Sequence, residues 1–399
     1  MRIQLQNMLF YPSFGGIETF LFNVGKVLIK LKHEPSIYCS QHKKELQKTE
    51  LFQGIEIIRH PRPYLPFPAT VFNPVYYVKK LKDYLKEDAR DIDMIWSWHP
   101  YYCYASLKTF KGKKPIVYFQ AFPFPRFLRN NFAHSNFAKE AYIKCIIPQA
   151  QLIEKKTIEM CDKISVVSYS EQKEISLFYG APPSKFTVIP PGVDLEIFKP
   201  CVRNEDLLLK LGLNNDSKIV LTAGRLTPQK NIEMLIRAFS LIEDKNSYLI
   251  IIGDGWQRPY LEKLADSTGK RNRIKFLGFR QDIEKFFSIA DVFVLPSKYE
   301  GFGIVFLEAM ASGVPCIGLK SDFPRVTVAT EEIIDDGETG YCVEPYSIED
   351  MAFKIKNLIG NESLRKIMGS KARVVCEQKY SWERCVNSTL RLANNEKLQ

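Results

Sequence analysis

Short apolar blocks recur along the chain, each followed by a polar turn and then by residues with helical spacing. The first block covers residues 2–10. The loop Pro12-Ser13-Phe14-Gly15-Gly16-Ile17-Glu18 follows it, and helical spacing runs from about 19 to 31. Blocks at 55–58, 94–98, 116–119 and 164–168 read as further buried strands. The segment Val188-Ile189-Pro190-Pro191-Gly192-Val193-Asp194 interrupts the pattern, because two prolines and a glycine suit neither helix nor strand. Beyond it the pattern restarts with a strand at 219–223, the loop Gly224-Arg225-Leu226-Thr227-Pro228-Gln229-Lys230-Asn231, and a helix from about 232. Strands at 248–252, 274–277 and 292–295 come next, and a last helix spans about 382–392 after Tyr380-Ser381. Strands alternating with helices predict an α/β fold with parallel, doubly wound sheets. The expected division is a domain over 1–195, a second over 196–379, and a terminal helix in 380–399.

Composition changes this picture in one respect. The totals are ordinary for a globular chain, with 45% hydrophobic and 25% charged residues. The net charge of +11 is unevenly spread: residues 1–195 hold 27 Lys+Arg against 17 Asp+Glu. Residues 101–150 alone carry eight basic residues and one acidic. Aromatics are interleaved: Tyr76, Tyr77, Lys79, Lys80, Lys82 and Tyr84, then Phe122, Phe124, Arg126, Phe127, Arg129 and Phe132. Such a mixture suits an anionic membrane surface. A nucleic-acid partner is not expected, since no recognised nucleic-acid-binding motif accompanies the charge. A solvated basic face without a partner is the plainer alternative. No apolar run is long enough to cross a bilayer, and the first residues are too polar for a signal peptide. Nine cysteines without paired spacing read as free thiols of a reducing, cytoplasmic setting.

The richest stretch is Tyr299-Glu300-Gly301-Phe302-Gly303-Ile304-Val305-Phe306-Leu307-Glu308. It follows an apolar strand and opens a helix, so it lies at the carboxyl edge of a sheet, where ligands bind. The helix start at Gly303, Ile304 and Val305 offers unpaired N–H groups to a phosphate. Glu300 and Glu308 are carboxylates placed to accept hydrogen bonds from a polyol. Glu308 sits among residues too apolar for a surface helix, and a buried carboxylate calls for partners. Arg225 and Lys230 flank an equivalent loop, and together form a forked and a point-like cation for a diphosphate. Solvated surface charges are their ordinary alternative. Gly15-Gly16 allows close backbone approach before a helix, although a plain tight turn explains it equally well. His99 ends a strand and suits either a polar ligand or packing between tryptophans. Asp91-Ile92-Asp93 precedes its strand and faces the wrong edge for a nucleotide-bound metal. No His/Cys cluster has zinc spacing.

Together these residues resemble the retaining glycosyltransferases of family 4, which have the GT-B architecture. The resemblance spans almost the whole chain and is most specific from Gly224 to Gly313, ending in the E-x(7)-E motif. It implies two Rossmann-like domains facing a cleft, with the C-terminal helix crossing back to the first. It further implies that Gly16 brings its N–H to the diphosphate, that Arg225 and Lys230 bind that group, and that Glu300 contacts the donor sugar. Glu308 would hold the ribose, backbone at Phe279-Arg280 the base, and Gly303-Ile304-Val305 the phosphates. The family uses no metal and no cofactor beyond the nucleotide-sugar substrate. The chain departs from the family at Gln120, where many members have a His that touches the transferred sugar. Gln120 and His99 are therefore the candidates for sugar or acceptor contact. The expected activity is retaining hexosyl transfer from a UDP- or GDP-sugar to a glycan or lipid-linked acceptor. The alternatives are a nucleotide-sugar epimerase of the same architecture, a binding protein without catalysis, and a transferase with a small soluble acceptor.

Overall fold

The computed structural model describes residues 1–12, 15–63, 73–88, 90–120, 123–124 and 137–396, with 137–143 as backbone. The chain forms two compact units, Met1–Pro190 with Trp382–Gln399, and Pro191–Ser381.

The first unit runs β1 (Arg2–Gln6), α1 (Gly16–Lys30), β2 (Glu34–Gln41), β3 (Thr49–Phe52), β4 (Ile55–Pro61), α2 (Asn73–Glu87), β5 (Met94–Ser97) and α3 (Pro100–Phe110). It continues with β6 (Ile116–Gln120), α4 (Phe137–Met160), β7 (Lys163–Val166), α5 (Tyr169–Tyr179) and β8 (Phe186–Val188). The sheet order is β3-β4-β2-β1-β5-β6-β7-β8. All pairs are parallel except the β3–β4 hairpin at the edge. β1 is covered on both faces, so Gln4 and Gln6 are buried with Ile3 and Leu5. Their amides are satisfied in place: Gln6 Nε2 donates to Gln4 Oε1 at 2.7 Å, and Ser106 Oγ donates to Gln6 Oε1 at 3.0 Å. This explains a strand whose sequence looks half polar.

The second unit runs α6 (Glu205–Lys210), β9 (Lys218–Ala223), α7 (Ile232–Ser240), β10 (Ser247–Ile252), α8 (Arg258–Ser267), β11 (Ile274–Gly278), α9 (Ile283–Phe287) and β12 (Val292–Leu295). Then come α10 (Ile304–Ala311), β13 (Cys316–Leu319), α11 (Thr330–Ile333), β14 (Gly340–Val343), α12 (Ile348–Gly360) and α13 (Glu362–Lys379). All its strands are parallel, in the order β11-β10-β9-β12-β13-β14. That is the Rossmann order, with the direction of winding reversing at β9. Its central strands are mostly apolar, as burial on both faces requires; Leu249, Ile250, Ile251, Val292, Phe293 and Val294 are fully buried.

The last helix, α14 (Trp382–Ala393), belongs to the first unit. Phe20 of α1 meets the Trp382 ring edge-on at 5.0 Å and the Trp98 ring at 5.5 Å. Trp98 in turn stacks on Phe119 of β6 at 4.0 Å.

The periodicity read from the chain located most of these elements but not all. β2, β3, β8, β13 and β14 went unpredicted, being either short or, in β2, studded with Glu34, Ser36, Ser40 and Gln41. β1 stops at Gln6 rather than residue 10, because Asn7 Nδ2 donates to Leu9 O at 2.9 Å and turns the chain. All nine cysteines are unpaired. Among the described residues no helix is long and apolar enough to cross a membrane.

The basic and aromatic surface needs correction. Phe122, Arg126, Phe127, Arg129 and Phe132 lie outside the described residues. In α2 the buried positions Pro74, Tyr77, Val78, Leu81 and Leu85 form one stripe at helical spacing. Tyr77 therefore belongs to the core, and Tyr84 stacks on His60 at 5.2 Å. Lys79 and Lys86 are exposed, and Lys80 and Lys82 are half-buried. The described outer face of α2 is thus basic, with its aromatics turned largely inward.

Candidate functional site

In an open α/β sheet the crevice for a ligand lies outside the carboxyl ends of the strands, where the winding reverses. In the second unit that point lies between β9 and β12. The loop after β9 carries Arg225 and Lys230, and the loop after β12 carries Glu300. Backbone bonds join the two loops: Lys298 N donates to Gln229 O at 2.8 Å. On its other side the Glu300 loop pairs with the segment after β13. Glu300 N donates to Thr327 O at 3.0 Å, and Thr327 N donates to Lys298 O at 2.9 Å.

Lys230 ends a short 3₁₀ turn, Pro228–Lys230. Its stem lies over Gly224, whose absent Cβ would stand 3.4 Å from Lys230 Cε. Lys230 Nζ donates to Glu300 Oε2 in an ion pair, and Ser297 Oγ approaches the same oxygen at 3.4 Å. Arg225 is exposed, and its side chain makes no ion pair or hydrogen bond among the described residues. The two cations that look alike in the sequence thus differ: one is neutralised internally, the other is open to an anion.

Gly303 precedes α10 with φ of 89°, a left-handed conformation that favours glycine. A side chain there would also press on Phe306 at 3.0 Å and on Glu300 Cγ at 3.3 Å. No side chain caps α10, so its first amides, including those of Ile304 and Val305, are available to an anion. Glu308 lies on the second turn of this helix, half-buried. Its carboxyl is pushed up to about 7, chiefly by burial and additionally by the charge of Glu284. Its carboxylate has no protein hydrogen-bond or ion-pair partner among the described residues. An acid held this way gains from any ligand that donates hydrogen bonds to it.

At the end of β11, Phe279 is 71% exposed, a large ring offered to solvent. Arg280 is also exposed, but its guanidinium is tied to Asp282 by two bonds of 2.9 Å.

In the first unit, Gly16 opens α1, and a Cβ there would meet nothing within 4 Å. The two candidates for sugar contact have structural duties. His99 is buried and caps α3, its Nδ1 accepting from Tyr101 N at 3.2 Å. Burial lowers its pKa to about 3, so it stays neutral. It packs edge-on against Tyr101, Tyr102 and Phe124. Gln120 is buried at the end of β6 and donates to Glu154 Oε1 at 2.7 Å. The structure thus directs the Gln120 amide nitrogen to a carboxylate of its own unit. Glu154 was not singled out in the sequence, because a lone Glu within a long helix carries no local signal. It also accepts from Tyr118 at 3.0 Å, from Phe124 N at 2.9 Å and from Tyr179. Burial raises it to about 7 against the pull of these donors. Asp91 faces Arg2 and Lys114, and Asp93 accepts from Arg2 N at 2.7 Å.

Comparison with known proteins matches a glycosyltransferase family model to each half of the chain. The family described as "Glycosyl transferases group 1" matches residues 204–375, and "Glycosyltransferase Family 4" matches residues 14–197. An uncharacterized glycosyltransferase of Methanocaldococcus jannaschii is 34% identical over 240 residues, 59% of this chain and 60% of that protein. The UDP-Gal:alpha-D-GlcNAc-diphosphoundecaprenol alpha-1,3-galactosyltransferase of Escherichia coli is 38% identical over 165 residues, 39% of this chain and 42% of that protein. The chain therefore spans about half the length of the curated relatives it matches. Among solved structures, sucrose-phosphate synthase from Thermosynechococcus elongatus superimposes with a TM-score of 0.78 at 20% identity, covering 99% of this chain and 98% of that one. Its likeness shows the fold, GT-B, with two parallel-sheet α/β domains.

Proposed function

Because this chain belongs to the glycosyl transferases of group 1, we propose that it moves a hexose from a UDP- or GDP-sugar to a glycan or lipid-linked acceptor, with retained anomeric configuration. One observation carries this reading. An open Arg225, Lys230, Glu300 and an uncapped helix start converge at the carboxyl edge where the second sheet reverses its winding.

Each group has a task in that reaction. Departure of the nucleoside diphosphate develops negative charge on its terminal phosphate. Arg225, Lys230 and the amides of Ile304 and Val305 stabilise that charge. Glu300 takes hydroxyls of the sugar, and Glu308 takes those of the ribose. Backbone at Phe279 and Arg280 meets the base. The acceptor hydroxyl attacks from the face that the diphosphate leaves, and its proton passes to the departing phosphate oxygen. No protein nucleophile, metal or added cofactor enters this scheme, since fixed cations and a helix terminus supply the charge.

The acceptor belongs to the first unit in this reading. The excess basic charge of residues 1–195 and the lysines of α2 support a membrane-proximal, peripheral location on the cytoplasmic face. The named substrate of the Escherichia coli relative is lipid-linked, which agrees with that choice.

The test is a thermal-shift panel of UDP, GDP, ADP and their sugars on the full chain. A ligand of the folded form at a hundred times its Kd adds about 2.7 kcal/mol. One base is expected to stand out, and a panel without any shift would refute the reading. Flotation with anionic vesicles tests the location: binding at low salt that vanishes at about 1 M salt is expected.

A further inference from the structure

Glu300 and Lys230 do more than line the same crevice. They neutralise each other, at side-chain exposures of 22% and 16%. An exposed pair such as Lys30–Glu383 stands at 72% and 43% by comparison, so solvent screens the inner pair less. Glu300 Oε2 holds both Lys230 and Ser297, whereas Oε1 takes no protein donor among the described residues. Arg225, in the same loop as Lys230, makes no ion pair among the described residues.

We propose that the Lys230–Glu300 pair sets which nucleotide the site holds, disfavouring the bare nucleoside diphosphate relative to the same diphosphate carrying its sugar. The inference rests on the reading of this crevice as a nucleotide-sugar site. A diphosphate reaching for Lys230 meets the Glu300 carboxylate at its side. Either the ammonium is drawn off and Glu300 is left unpaired, or it is shared and two anions face each other. Both weaken the bare diphosphate. A sugar on that diphosphate brings hydroxyls that donate to Glu300, at Oε1 and at the partly vacated Oε2, and so repays the carboxylate. Glu300 thereby acts as a specificity-determining residue through its effect on Lys230, in addition to touching the sugar. After transfer, loss of the sugar removes that compensation and favours release of the nucleoside diphosphate.

The experiment titrates UDP, GDP and ADP, and UDP-glucose, GDP-mannose and ADP-glucose, into the full chain by calorimetry. The proteins are wild type, Glu300→Gln, Glu300→Ala, Lys230→Met and the Lys230→Met/Glu300→Gln double variant. For the nucleotide that binds, Glu300→Gln is expected to tighten the bare diphosphate by about three- to tenfold. The preference for the sugar-bearing form over the bare one falls at the same time. Glu300→Ala is expected to give the same sign, which keeps the test open should the glutamine variant not fold. In the Lys230→Met background the gain shrinks. A diphosphate that binds wild type but binds both Glu300 variants no more tightly overturns the inference and leaves the site reading intact. An undiminished gain without Lys230 also overturns it, since the effect would then be bulk charge. If wild type binds none of the diphosphates, the site reading falls and takes this inference with it.

Discussion

Burial raises two acids, half-buried Glu308 and fully buried Glu154, to about 7, yet their surroundings differ. Glu308 is half-buried beside a neighbouring acid, with no protein donor among the described residues; Glu154 is fully buried with four donors. The first is suited to a ligand, the second to holding its own unit together. For Glu308, a ribose diol donates best to the ionised form. Nucleotide affinity is therefore expected to rise between pH 6 and 8 by up to about tenfold per pH unit below its pKa. Calorimetry of Glu308→Gln beside wild type isolates the effect, since the variant loses this part of the pH dependence. For Glu154 the linkage acts on stability. Its folded pKa lies above the ordinary carboxylate value, so the folded form retains the proton more strongly between about 4.5 and about 7. Stability from this group is full below that window and falls as pH rises through it, by about 3 kcal/mol at most. Urea unfolding at pH 5 and pH 7.5 is expected to show a smaller decline in Glu154→Gln than in wild type.

At the scale of elements, the crevice in the second unit is shaped by how closely its loops approach. The turn after β10 passes over the turn after β9. A Cβ on Gly253, whose φ is 125°, would stand 1.9 Å from Gly224 O. Gly224 N also donates to Ile252 O at 3.0 Å, and Leu226 N to Asp254 O at 2.9 Å. Gly253→Ala is therefore expected to push the Arg225–Lys230 loop outward. A loss of about 3 kcal/mol in the unfolding of the full chain is expected. Nucleotide affinity should fall with it. An alanine variant as stable as wild type would contradict this account.

At the scale of the molecule, the chain leaves the first unit at Pro190 and returns to it at Trp382. The return depends on an aromatic cluster of Phe20, Trp98, Phe119 and Trp382. Trp382 is 5% exposed, so its truncation leaves a large cavity beside α1. Trp382→Ala is expected to destabilise the first unit by about 3–5 kcal/mol. Limited proteolysis should then cut near residue 381 in the variant before it does so in wild type.

The sequence determined what is local. Apolar blocks, glycine turns and the Pro190-Pro191 break carry their own conformational preferences, so the α/β class, the division into halves and the E-x(7)-E stretch were legible in it. Glu300, Glu308, Arg225 and Lys230 could be singled out because each stands beside a strand end or a helix start. The tertiary structure decided pairings between residues far apart in the chain. It joined Lys230 to Glu300 across 70 positions and left Arg225 open. It brought Thr327 to the Glu300 backbone, and it placed Glu154 under Gln120 across 34 positions. It also turned Tyr77 from the surface to the core. Charge, burial and hydrogen bonding depend on neighbours in space, and only the packing of the sheets supplies those neighbours.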